Sequence, residues 1–64
     1  MDKLYYMDTK YGCGGVIVND TGYIVETCPL YRWMLRKSLE EVLRGLRRSN
    51  KLYRCALTGE SKNA

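Results

Sequence analysis

Six cations in this chain are spaced so that they could act together: Arg36, Lys37, Arg44, Arg47, Arg48 and Lys51. Arg44, Arg47 and Arg48 stand three and four apart, the spacing that shares one face of a helix or its flank. Arg36 and Lys37 precede that helix, and Lys51 follows it. Cations gathered in this way would recognise phosphate or carboxylate, the arginines through a planar fork. Residues 29–57 carry eight cations against two carboxylates, whereas residues 1–28 carry two against four. The net charge of +4 is therefore polarised toward the C-terminal half. Positive charge at a helix start is not rewarded by the helix dipole, so Arg36 and Lys37 hint at use by a partner. The same charges also suit a solvated face that keeps a small protein in solution.

Other chemistry is poorly supplied. Histidine is absent, which removes the commonest general base and metal ligand. No serine–base pair and no usefully spaced carboxylates are present, so no enzyme and no cofactor are expected. Cys13, Cys28 and Cys55 form no CxxC pair. They are expected to act as small hydrophobes; a disulfide plus a free thiol, or a three-thiolate metal site, is the sharper alternative and lacks the ligand spacing of zinc sites. The run YGCGG at residues 11–15 invites a phosphate-loop reading. It lacks GK[ST] and a following helix, and so marks a bulge or a close backbone crossing at a strand start.

The elements that must position these residues come next. Sixty-four residues allow one domain with a small core, which a partner or a second copy would help to stabilise. No apolar run is long enough to span a membrane, and no leader peptide is expected. Residues 38–48 form the clearest helix, with Leu39, Val42, Leu43 and Leu46 on one stripe and Ser38 with Glu41 as a capping box. Residues 3–9 favour a strand, followed by a turn over residues 8–12. Residues 15–27 predict a β-hairpin, with Gly22 at a position needing positive φ. Pro29 starts a short helical piece with Leu30, Trp33 and Met34 on one side, broken near Lys37. Asn50 suits a left-handed helix end. Residues 51–57 read as a last strand with Tyr53, Cys55 and Leu57 on one face, Cys55 being the cysteine expected to be buried. The prediction is an α+β domain over residues 1–57, a small antiparallel sheet against one main helical segment in the order β-β-β-α-β, with residues 58–64 as a flexible tail. Leu39, Val42, Leu43, Leu46 and Trp33 should fill the core against Val16, Ile24, the last strand and either Val18 or Ile17.

Tyr11, Cys13, Pro29, Arg32, Trp33 and Lys37 carry a resemblance. Their arrangement over residues 11–46 is similar to that of a group of small uncharacterised phage and mobile-element proteins. Such proteins more often have glycine where this chain has Arg36. The resemblance implies a phage-type origin and a place in the cytoplasm of an infected host cell. Anti-CRISPR proteins resemble the chain by analogy of size and lack of motifs alone.

Three function classes follow. An interaction protein that binds and inhibits a host protein or nucleoprotein complex through the basic helix face leads. A nucleic-acid-binding module comes second, with Tyr5, Tyr6, Tyr11, Tyr23 or Tyr53 stacking bases. An enzyme is a distant third. On the cysteine reading, metal analysis of the purified protein should find no stoichiometric zinc. One zinc per chain, lost together with the fold on chelation, would overturn that reading.

Overall fold

The computed structural model describes residues 1–61. Its elements are strand β1 (Asp2–Thr9), β2 (Gly12–Val18), β3 (Ile24–Thr27), a 3₁₀ segment (Pro29–Met34), helix α1 (Leu39–Arg48) and strand β4 (Leu52–Ser61). The four strands form one antiparallel sheet in the order β3-β2-β1-β4. The predicted α+β class and the order β-β-β-α-β are those of the structure.

Alternation along β1 and β2 explains the layer. Met7 pairs with Gly14 and Tyr5 with Val16, which turns Met7, Val16 and Val18 to one face. These residues are buried with Ile24, Tyr31, Met34, Leu39, Val42 and Leu46. Ile17 points the other way, which settles the choice between Ile17 and Val18. The opposite face of the sheet exposes Leu4, Tyr6 and Cys13.

The segment after Pro29 departs from the α-helical expectation. It winds at about three residues per turn, so Tyr31 and Met34 share its buried side while Leu30 and Trp33 are exposed. Trp33, expected in the core, is 47% exposed. The glycines of YGCGG make room for this segment. A side chain at Gly14 would collide with Cys28 Sγ and approach the Tyr31 ring at 3.3 Å. Gly12 has φ +131°, and a Cβ there would lie 2.8 Å from Leu30. The close-crossing reading of these glycines therefore holds, with the crossing chain being residues 28–31. The turn expected over residues 8–12 is shorter: strands run to Thr9 and restart at Gly12.

Helix α1 begins and ends differently from one another in mechanism. Ser38 makes no side-chain cap. The hairpin loop replaces it: Leu39 N–H donates to Gly22 O at 2.9 Å, and Arg36 N–H to Ile24 O at 2.8 Å. Ile24 N–H returns a bond to Lys37 O at 2.9 Å. A free helix amide needs an acceptor, and a backbone carbonyl held by the sheet serves as well as a serine. Gly22 has φ +90° and Asn50 φ +58°, as expected. Asn50 N–H to Arg47 O and Lys51 N–H to Leu46 O complete a Schellman ending. Leu43 packs on the edge of the core and is only half-buried.

Strand β4 corrects two expectations. It continues through residues 58–61, pairing Gly59 with Leu4 and Ser61 with Asp2, so the tail does not start at Thr58; residues 62–64 lie outside the described residues. Its register shifts twice against β1. Beside Thr9 the shift brings Leu52 as well as Cys55 against the core, while Tyr53 and Leu57 stay exposed. An inserted residue breaks the period of two. Cys55 and Cys28 are half-buried and Cys13 is exposed.

The Tyr31 hydroxyl lies in the core, donating to Gly12 O, with Met7 O at 3.3 Å and Thr9 Oγ1 at 3.1 Å. Burial pushes its ionisation above the ordinary 10.0, with the Thr9 bond acting in the opposite sense. A raised value means that the neutral form is favoured by folding. Its stabilisation is complete below the unfolded value and is lost as pH rises through the folded one. Tyr31→Phe should lower stability by about 1–3 kcal/mol at neutral pH and blunt the loss of stability above pH ~10. Urea melts of both proteins at neutral and alkaline pH check this, and an unchanged midpoint at both would remove Tyr31 from the centre of the fold.

Candidate functional site

Helix α1 turns Leu39, Val42 and Leu46 inward, which places Arg44 and Arg48, one turn apart, on its outward crest. Arg47 leaves that crest on the flank toward β4, near enough to Cys55 for its charge to oppose the upward push that burial gives the thiol. Lys37 and Lys51 lie on the other flank, where both line a groove. Arg36 sits beside the hairpin through its backbone bond to Ile24. All six predicted cations are at the surface, five of them exposed and Lys51 half-buried. One continuous basic patch is the expectation for these six; the helix spreads residues 44, 47 and 48 around its outer half, with Lys37 and Lys51 on the groove side. Among the described residues α1 has one ion pair, Arg44 with Glu40 at 3.6 Å. Both groups are exposed, so the pair neutralises little of the field.

Arg36 takes φ +69°. A side chain in this left-handed region costs about 1 kcal/mol, so a tight turn does form here without glycine. The constraint comes from the two backbone bonds that close the chain against Ile24.

The groove has a volume of about 350 Å³. Tyr11, Trp33, Lys37, Glu41, Gly45 and Lys51 line it, over a floor of Val42 and Leu46. Tyr11 is carried by the β1–β2 turn, where its N–H donates to Thr9 Oγ1 at 3.1 Å. Its ring meets Trp33 edge to face, centroids 6.0 Å apart at 72°. Lys51 Nζ lies 5.5 Å from the Tyr11 centroid, a cation–π distance. The Schellman ending fixes Lys51, and Lys10 N–H donates to Lys51 O at 2.8 Å, tying the turn to the helix end.

The aromatic members escaped the sequence reading. An α-helical period places Trp33 in the core, but the segment does not follow that period, and Tyr11 stands out in the sequence only as one of five tyrosines and as a member of the phage-type resemblance. Those five do not gather: Tyr5 packs on the core, Tyr6 lies on the open sheet face, and only Tyr11 borders the groove. Gly45 was a signal available in the sequence, since glycine inside a helix is disfavoured.

Among the described residues no three His, Cys, Asp or Glu gather as metal ligands, and no helix is long and apolar enough to cross a membrane. Comparison with known proteins returns no matching family model, no matching curated protein and no matching solved structure. Geometry alone therefore carries the reading: an exposed aromatic pair and an apolar floor, bordered by cations, a surface suited to binding.

A Cβ at Gly45 would meet nothing within 4 Å. Gly45→Ala should therefore raise stability by about 1 kcal/mol through helix propensity. A chemical-denaturation midpoint at or below that of the parent would show that Gly45 serves the fold after all.

Proposed function

We propose that this protein is a small phage-type interaction protein that binds and inhibits a host nucleic-acid-handling protein or defence complex in the cytoplasm of an infected cell. The basic crest and flanks of α1 supply the contact. Arg36, Lys37, Arg44, Arg47, Arg48 and Lys51 dock on an acidic surface, such as one shaped to receive nucleic acid. One observation carries the reading: among the described residues the arginines of α1 have a single weak ion pair, and Lys37 and Lys51, beyond its two ends, border an exposed tryptophan–tyrosine pair. Charge of one sign steers association. Arginine, tryptophan and tyrosine are also the side chains that dominate binding energy at protein interfaces. Such a protein needs no reacting group of its own. The phage-type origin rests on the sequence resemblance, and the anti-CRISPR comparison remains an analogy.

Capture of one host protein after nuclease treatment, paired with gel-shift assays on arbitrary DNA and RNA, tests the class of partner. Strong salt-dependent shifts with any sequence, and no protein captured, would replace the proposal with a nucleic-acid-binding module. Reversing Arg44 and Arg48 to glutamate should cost about 1 kcal/mol in the melt, from the lost ion pair and the helix dipole. The same change should abolish binding. Binding that survives the reversal would reduce the crest to a solvated face.

A further inference from the structure

We infer that the groove between the 3₁₀ segment and α1 takes a large apolar side chain presented by an acidic segment of the protein partner. This inference rests on the basic-face reading and adds the chemistry of the occupant.

Gly45 is the first observation. Glycine inside a helix weakens it, and no neighbour in the fold requires its absence of a side chain. Its effect is local: it leaves the helix backbone bare along the wall of the groove. Opposite that bare wall stand two aromatic rings that the fold does not bury, Trp33 at 47% and Tyr11 at 46% exposure. Their edge-to-face contact holds both in place. Beneath them lie Val42 and Leu46. An apolar floor, a bare backbone wall and fixed aromatic rings form a seat for an apolar group arriving from outside.

The rim states the charge of whatever carries that group. Lys37 precedes α1 and Lys51 follows it, and both line the groove. The ten-residue helix between them rises roughly 15 Å along its axis. An extended peptide covers that span in about five residues at ~3.3 Å each. The matching segment therefore has an apolar residue near its middle and carboxylates toward both ends. Two features favour a peptide over a single nucleic-acid strand. Glu41 lines the same groove and would repel a continuous row of phosphates, whereas it can accept N–H groups from a peptide. Lys51 also covers a face of the Tyr11 ring, where a base would otherwise stack.

Panning a library of random twelve-residue peptides against the full chain tests the inference. Trp33 is the chain's single tryptophan and reports occupancy directly. Selected peptides should share a large apolar residue between aspartates or glutamates and shift Trp33 emission to the blue. Gly45→Leu should fill the seat and weaken these peptides tenfold or more, with a melt equal to or above that of the parent. If Gly45→Leu lowers the melt, Trp33→Ala, at an exposed ring, reads the same loss of affinity. The inference is overturned if no peptide is selected, if the consensus lacks acidic residues, or if affinity is indifferent to these substitutions. Tighter binding of oligothymidylate than of any peptide, seen in Trp33 emission, overturns it in favour of nucleic acid. Loss of partner binding on Arg44 and Arg48 reversal but not on Gly45→Leu removes the groove and leaves the basic face. The opposite pattern, with an acidic consensus, upholds the groove and removes the basic face.

Discussion

The buried hydroxyl of Tyr31 is the interaction on which the rest of this structure depends. It reaches between β1 and β2 and meets the Gly12 and Met7 carbonyls and the Thr9 hydroxyl. A polar group in so small a core is stabilising only when it is satisfied. Satisfying it requires Thr9 to turn inward, and no side chain at Gly14 to block the ring. It also requires a 3₁₀ segment that delivers Tyr31 from above the sheet. The same segment then faces Trp33 outward. One buried hydrogen-bond cluster thus sets the packing of the core and the exposure of Trp33, the chain's single tryptophan.

The helix depends on that arrangement in turn. Its first amide, that of Leu39, is received by the Gly22 carbonyl of the β2–β3 hairpin, and its end is tied through Lys51 to the β1–β2 turn. A chain of this size buries a modest share of its surface, so these backbone links carry weight that a larger core would otherwise supply. They also hold Lys37 and Lys51 in place relative to the sheet, one at each end of α1. Floppy cations lose rotamer freedom when they bind. Anchoring the backbone at both ends of the helix removes only the backbone part of the ordering cost and leaves the side-chain part.

Strand β4 is an edge of the sheet and runs for ten residues. Long edges invite pairing with other chains. Its two register shifts interrupt the regular ladder with β1, and Arg54 stands exposed along it. Bulges and charge of this kind turn an edge away from indiscriminate pairing, leaving the α1 side as the surface with the more specific chemistry.

Much of the architecture was legible in the residues. The apolar stripe of residues 39–46, the β-branched runs either side of Gly22, and Asn50 at the helix end each encode local geometry. Local geometry is what periodicity and backbone sterics determine. The cations were legible too, because charge is a property of residue type. Tertiary structure decided the rest. Whether residues 29–34 wind with three or 3.6 residues per turn depends on Tyr31 finding its partners 19 to 24 positions earlier. That choice moved Trp33 from core to surface. The phase of β4 depends on bulges against β1, which put Leu52 as well as Cys55 against the core, and its pairing with β1 continues past Thr58. The groove exists only because a turn, a 3₁₀ segment and a helix meet. Its residues lie up to forty positions apart in the chain, and no sequence period connects them. Packing brought them together, since a single buried hydroxyl and a slot of glycines allow the segment only one way to lie across the sheet.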